Sequence, residues 1–243
     1  MVVRIFYFIL GLIIYGLSQV ALLLLLLFSG NIGLSHSLDS PARRASWEAL
    51  LIDLVLILLF ALQHSLMARS NFKRWIAPWI PHPLERSFYC LLASTALFLL
   101  MYYWEPIDCV VWQVKSPFWS AFIYFFFFLG YFTMMTATFL INHWDLFGLR
   151  QVYLFLLKKP YVALVHRDPF LYKKLRHPLY LGFLLAFWFT PIMTVTHLFF
   201  AVLMTGYILM GIYWEEKDLI RDFGDTYRDY KKRVPMFFPH FWR

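Results

Sequence analysis

The chain has 243 residues and a formal net charge of +8; it is 61% hydrophobic, 21% aromatic and only 15% charged. Soluble domains carry about 25% charged residues, and the apolar runs here reach the roughly 20 residues that cross a bilayer core, so an ordinary soluble domain is excluded. The positive balance reads as the Lys/Arg excess of membrane-protein loops rather than as a nucleic-acid surface.

The first expected helix is Arg4–Phe28. Its apolar stretch, Ile5–Phe28, is too long for a signal-peptide core and lacks a small-x-small cleavage site, so a true span is expected. Ala49–Met67 follows, with Gln63-His64-Ser65 near its end and Asp53 near its start, the latter assigned no chemistry. The third segment is Phe88–Trp104. Cys90 and Cys109 lie toward its two ends, about 28 Å apart at helical rise, too far for a disulfide. The fourth, Phe118–Ile141, leaves the membrane at Asn142-His143-Trp144-Asp145.

The fifth segment, Leu179–Phe189, makes only about 18 Å of helix against a core of about 30 Å. Thr190-Pro191 then reads as a turn, with Pro191 opening the sixth segment, Ile192–Tyr213. The last two segments are therefore expected to form a hairpin. In the tail, Leu219, Ile220, Phe223, Tyr227, Tyr230 and Val234 recur at helical spacing between charges. An amphipathic surface helix beginning at Glu215 and bent at Gly224 is expected. The fold class is thus all-α: a polytopic membrane helical bundle of five to six spans with a C-terminal amphipathic cytoplasmic helix.

Three connecting stretches are basic. Arg69, Lys73, Arg74 and Arg86 follow the second span. Arg150, Lys158, Lys159, Arg167, Lys173, Lys174 and Arg176 follow the fourth. Lys217, Arg221, Arg228, Lys231, Lys232 and Arg233 lie in the tail. Alternating spans put all three on one side, which is then cytoplasmic, together with both termini. Arg43 and Arg44 fall on the other side.

No G-x-G-x-x-G, G-x-x-x-x-G-K, H-E-x-x-H or G-x-S-x-G occurs, and no Cys/His spacing reads as a metal site. The chemistry therefore has to come from other clusters. In Arg176-His177-Pro178, a basic anchor and a proline at a helix start explain Arg and Pro but not His177. Pro178 biases His177 to an extended backbone, the helix start suits an anion, and Gly182 lets a neighbour pack close. Glu215-Glu216 is an acid pair at the inner end of an apolar helix, where ionisable groups are functional candidates; alone, it reads as the acidic start of a helix. The hairpin brings the two motifs to one membrane face. His64 and His143 each read singly as interfacial histidines. His36, His82, His166, His197 and His240 are assigned nothing.

Arg176-His177-Pro178-Leu179-Tyr180-Leu181-Gly182, then Glu215-Glu216-x-x-Leu219-x-x-x-Phe223-Gly224-x-x-Tyr227-x-x-Tyr230-x-x-x-Val234-Pro235, resembles the C-terminal half of the isoprenylcysteine carboxyl methyltransferase superfamily over roughly residues 140–239. One departure is that the short Gly-Pro-Tyr usual before Arg-His-Pro is replaced by "PYVALVHRDPFLYKKL". Gln63-His64-Ser65-x-Met67-Ala68-Arg69 is similar to membrane proteins associated with nitric-oxide metabolism. Together with Asn142-His143-x-Asp145-Leu146-Phe147-Gly148-Leu149-Arg150-Gln151, it looks most like the bacterial methanethiol S-methyltransferases.

The resemblance implies S-adenosylmethionine as methyl donor, held by Arg176, His177, Pro178, Leu179, Tyr180, Gly182, Glu215 and Glu216. It implies a small thiol as acceptor and no metal. Tyr180, Tyr213 and Trp214 suit either a cation–π face for a sulfonium or an interfacial belt. His64 or Asp145 is the expected base, with the other orienting it, His143 at the same level, and Asn142, Arg150 and Gln151 as support for the substrate. One transmembrane domain, 1–243, is expected, with a substrate-side half, 1–141, and a cofactor-binding half, 142–243. The expected setting is a bacterial inner membrane with the site facing the cytoplasm. Lipid or prenylcysteine methylation, and a non-enzymatic membrane protein of the nitric-oxide-associated type, are the alternatives.

Overall fold

The computed structural model describes residues 1–42, 44–162 and 169–238. Arg43, His166, Arg167 and His240, named above, lie outside the described residues. Most of the described residues are helical. Five helices are long and apolar enough to cross a membrane, as an all-α polytopic membrane protein requires, because a helix satisfies its own backbone in lipid.

Two compact units are present, interleaved along the sequence. The first holds the described residues of Met1–Cys109, Asn142–Val165 and Thr194–His197. Its long helices are α1 (Val2–Ser29), α2 (Ser46–Ala68) and α4 (Glu85–Tyr103), with a short α3 (Ser70–Ile76) between the last two. Arg69, in an extended conformation (φ −78°, ψ 141°), separates α2 from α3. Hydroxyls inside the spans are paired locally: Ser18 and Ser29 donate to carbonyls one turn back, and Ser94 of α4 donates to Ser18 of α1 at 3.1 Å.

At the α1 C-terminal end of this unit, Asp39 is a polar hub. It accepts the Thr194 N–H at 2.9 Å and meets His197 Nδ1 at 2.7 Å, and Asn31 donates to it as well. Asp53 accepts the Glu105 N–H at 2.9 Å, and Glu105 pairs with Arg44, also at 2.9 Å. Asp53 and His197 are both buried, each with its own structural partner.

The second unit holds the described residues of Val110–Ile141, His166–Met193 and Leu198–Arg243. It contains α5 (Pro117–Ile141), α8 (Pro178–Trp188), α10 (Asp225–Arg233) and all but the first turn of α9 (Val195–Phe223). Between α5 and α8 the chain runs through two helices of the first unit, α6 (His143–Leu146) and α7 (Leu149–Leu156). α8 packs mainly along α5. At the seam, a Cβ on Gly182 would come within 2.6 Å of the Met134 nitrogen. The close approach that Gly182 permits is therefore to α5.

The short fifth segment is α8 itself. α8 meets α9 where Phe187 packs edge-on to Phe200 (4.9 Å) and Trp188 donates to Thr205 at 2.9 Å. Three expectations need correction. Pro191 does not open a helix: it leads into a strand, β2 (Ile192–Thr194), paired with β1 (Val110–Gln113). The Val114 N–H donates to the Pro191 carbonyl at 2.8 Å, so α9 starts only at Val195. Glu215 does not begin a separate surface helix either, because α9 continues through it to Phe223. The break comes at Gly224, whose φ of +57° suits glycine. Cys109 lies beyond the end of α4, so the two cysteines do not share a helix; both are free thiols.

Beyond Gly224 the amphipathic pattern holds. Tyr227, Tyr230 and Val234 are buried together, with Leu219 and Ile220 of α9 against them.

Candidate active site

The second unit assembles the Arg-His-Pro motif and the acid pair into one corner. Pro178 occupies the first position of α8, and His177 (φ −127°, ψ 58°) precedes it. The segment after α10 is fastened to this turn: the Arg176 N–H donates to the Pro235 carbonyl at 2.9 Å and the His177 N–H to the Met236 carbonyl at 3.3 Å. The first turn of α8 presents its N–H groups beside this bend, a backbone seat for an anion.

Glu216 is the centre of the corner and is only 5% exposed. Its Oε1 accepts from Arg176 Nε at 2.9 Å and lies 3.1 Å from His177 Nε2, while Lys231 Nζ reaches Oε2 at 2.5 Å. Arg176 also donates to the carbonyls of Lys231 (2.9 Å) and Val234 (2.7 Å). The burial is supportable because the carboxylate is matched by cations and donors on both oxygens. Glu215 differs: its side chain is 45% exposed and stands 3.9 Å from His177 Nδ1.

Two phenols close the corner. Burial, then the charge of Glu215, pushes the Tyr172 hydroxyl well above the ordinary phenol range; burial, then Glu216 and Glu215, does the same to Tyr227. Both stay protonated at any working pH. The Tyr172 carbonyl accepts from the Tyr230 hydroxyl at 2.6 Å. His177 faces Tyr180 with ring centroids 5.6 Å apart. Leu179 and Pro178 pack at the helix start, and Gly182 belongs to the α5 seam rather than to the polar corner. Tyr213 and Trp214 are already covered by a cation of the chain, with Lys217 Nζ 4.4 and 5.0 Å from their ring centroids; the belt reading suits them better than a sulfonium box.

The other candidates all lie in the first unit. His64 stacks on Phe60 (5.3 Å), and the Tyr89 hydroxyl lies 2.8 Å from its Nε2. Arg86 sits over the Tyr89 ring at 4.8 Å and donates to the Leu146 carbonyl at 2.7 Å, tying α4 to α6. His143 is buried against the Tyr15 hydroxyl, 3.0 Å from Nε2, and burial lowers its pKa. Asn142 caps α6 by accepting the Asp145 N–H at 3.1 Å.

Asp145 is held by Arg150 at 2.7 Å and by the Tyr161 hydroxyl at 3.3 Å, and Gln151 donates to its carbonyl at 3.2 Å. Burial, then the Asp145 charge, raises the Tyr161 pKa. A cavity of about 160 Å³ opens beside Tyr161, lined by His82, Gln151, Leu154, Phe155 and Lys159 among others. The buried Gln151 Oε1 has no hydrogen-bond partner among the described residues.

The contacts shown put Tyr89 against His64, and Arg150 and Tyr161 against Asp145. Among the described residues no group of His, Cys, Asp and Glu is arranged to hold a metal ion. Tyr89, Arg86, Tyr161, Tyr15 and Lys231 are the partners that sequence reasoning missed as site residues.

No family model matches the chain, and no solved structure does. Curated relatives do. A protein of Crocosphaera subtropica named methanethiol S-methyltransferase is 49% identical over 212 residues, covering 87% of this chain and 83% of its own. One of the same name from Mycobacterium tuberculosis is 44% identical over 93% of this chain and 95% of its own. A more distant relative, nurim of Bos taurus, is 30% identical over 74% of this chain and 75% of its own. On identity of this depth and extent, the chain belongs to the methanethiol S-methyltransferase family.

Proposed function

We propose that the chain is an integral-membrane methyltransferase that moves a methyl group from S-adenosylmethionine to methanethiol, giving dimethyl sulfide and S-adenosylhomocysteine. What carries the reading is the likeness, over most of the chain, to relatives named for methanethiol S-methylation. The Arg176–His177–Glu216 corner is chemically suited to such a donor. An amino-acid carboxylate matches the α8 start and His177, and an ammonium or ribose hydroxyls match Glu215 or Glu216. When bound, S-adenosylmethionine supplies a methyl carbon activated by its sulfonium.

The chain has to orient the acceptor and take its proton. A thiol attacks as thiolate, and a reference thiol has a pKa of about 8.5, so a nearby base raises the reactive fraction. His64, His143 and Asp145 are the candidate groups, with Asn142, Arg150 and Gln151 supporting the acceptor. On this reading the first four spans with residues 142–151 serve the substrate, and the residues from Arg176 onward serve the cofactor. The basic stretches support a site that faces the cytoplasm of a bacterial inner membrane.

The test is titration of the purified protein with S-adenosylhomocysteine, followed by headspace detection of dimethyl sulfide after addition of S-adenosylmethionine and methanethiol. Saturable binding with product is expected. Absence of binding would rule out this donor. Binding with turnover only on prenylcysteine or lipid acceptors would move the chain to the other acceptor class.

A further inference from the structure

Glu215 and Glu216 are adjacent on α9, so their side chains leave the helix about 100° apart. Only one of them can face the Arg176-His177 corner squarely. That one is Glu216, whose two oxygens are committed to Arg176, His177 and Lys231. A carboxylate so occupied has little left to offer a ligand. Glu215, half-exposed and 3.9 Å from His177 Nδ1, still has an accessible face.

Lys231 closes the arrangement from α10. Its ammonium holds Glu216 Oε2, and its backbone carbonyl accepts from Arg176 Nη1 at 2.9 Å. Arg176, Glu216 and Lys231 thus form a ring of contacts, with His177 as a spur from Glu216. Opening the ring at Lys231 leaves a buried carboxylate with one oxygen uncompensated, which has to be relieved by reorientation or by water entry. Either change shifts the acceptor that fixes the His177 ring.

Resting on the donor reading above, we propose that Lys231 is a positioning residue for the cofactor: it commits Glu216 to the Arg176-His177 corner and leaves Glu215 as the carboxylate that meets the ligand. The two acids then have different jobs. Glu216 is an internal strut that orients His177. Glu215 takes the ligand's ammonium or hydroxyls.

The experiment compares Lys231→Met, Lys231→Gln, Lys231→Arg and Glu215→Gln with the parent, using S-adenosylhomocysteine titration, turnover kinetics and thermal unfolding in detergent. Lys231→Met and Lys231→Gln are expected to weaken binding and raise the donor KM by about tenfold, a change of about 1.4 kcal/mol, with kcat at saturating donor within about twofold of the parent. Lys231→Arg, which keeps the charge, should recover most of the affinity. Glu215→Gln should weaken binding by at least as much with no change in unfolding temperature.

Parent-like affinity in both uncharged Lys231 variants would overturn the proposal. So would failure of arginine to rescue, or parent-like affinity in Glu215→Gln. If Lys231→Met and Lys231→Gln do not fold, the arginine and Glu215 variants still decide. A parent protein that does not bind S-adenosylhomocysteine would defeat the donor reading, and with it this assignment.

Discussion

A Cβ placed on Gly130 would lie 2.6 Å from the carbonyl oxygen of Gly182, and one placed on Gly182 would lie 2.5 Å from the carbonyl oxygen of Gly130. The two glycines let α5 and α8 touch backbone to backbone, the small-residue contact that brings membrane helices together where lipid removes the hydrophobic drive. Gly182→Ala and Gly130→Ala should each lower stability by about 1–3 kcal/mol, the usual cost of overpacking. Gly206 of α9 has open space at its Cβ position, and Gly206→Ala should be neutral or slightly stabilising. Thermal unfolding in detergent checks this; equal midpoints for Gly182→Ala and Gly206→Ala would show that the seam tolerates a methyl group.

The buried pair of Asp39 and His197 gives an acid-dependent stability. Burial alone would raise the Asp39 pKa, but the hydrogen bond and charge of His197, with Thr194 and Asn31, outweigh it and hold the carboxyl below its ordinary value. A depressed folded-state pKa stabilises above the unfolded value of about 3.9 and loses that stability as pH falls through the folded value. The contribution of the Asp39 carboxylate should therefore be fully present at neutral pH and be lost below about pH 4. Asn in place of Asp39 should cost about 3 kcal/mol at pH 7, by weakening the buried acceptor that Asn31, Thr194 and His197 share, and should flatten the acid response. An unchanged acid limb in Asp39→Asn would assign that limb to other carboxylates.

The spans were legible because length and hydropathy are local properties, and the shortness of α8 was legible for the same reason. The meeting of Arg176-His177 with Glu216 was legible from chain direction alone, since a hairpin returns to the level at which it began. The strand at Ile192–Thr194 was not. Its partner, Val110–Gln113, is four exposed residues with no alternation, and Pro191 suits a helix start as well as an extended entry. The continuation of α9 past Tyr213 was hidden because charge replaces apolar character there while helical propensity persists. Tyr15, Tyr89 and Lys231 leave no local trace as site partners: His143 finds Tyr15 across 128 positions, and His64 finds Tyr89 across 25. Such pairings are tertiary, and no spacing rule reaches them.

Arg150 binds Asp145 at 2.7 Å and lies over the Tyr161 ring at 5.1 Å. Its fork also reaches the Val162 carbonyl at 3.1 Å, so it gathers α6, α7 and the Tyr161 segment. Lysine cannot make that planar set of contacts. Arg150→Lys should therefore resemble Arg150→Ala, with both losing most turnover while cofactor binding persists. Turnover in Arg150→Lys close to the parent would reduce the role of Arg150 to its charge.

The separate partnerships of His64 and Asp145 divide the acceptor chemistry. Asp145 is engaged by the Arg150 guanidinium and the Tyr161 phenol, so its carboxylate serves to hold that segment together. His64 lies 2.8 Å from the Tyr89 hydroxyl at Nε2, with Phe60 stacked on its face, and imidazole is the side chain most often used as a general base. His64→Ala should then lose at least about 10²-fold in turnover of methanethiol, the lower end of the 10²–10⁴ that general bases contribute, with S-adenosylhomocysteine affinity unchanged. Tyr89→Phe should lose less, because it removes the group that orients the ring and not the ring. Asp145→Asn should lower turnover and unfolding temperature together, since it loosens Arg150 and Tyr161. The checks are headspace dimethyl sulfide and unfolding in the same preparations. Full turnover in His64→Ala would leave the thiol to ionise without a base from this chain.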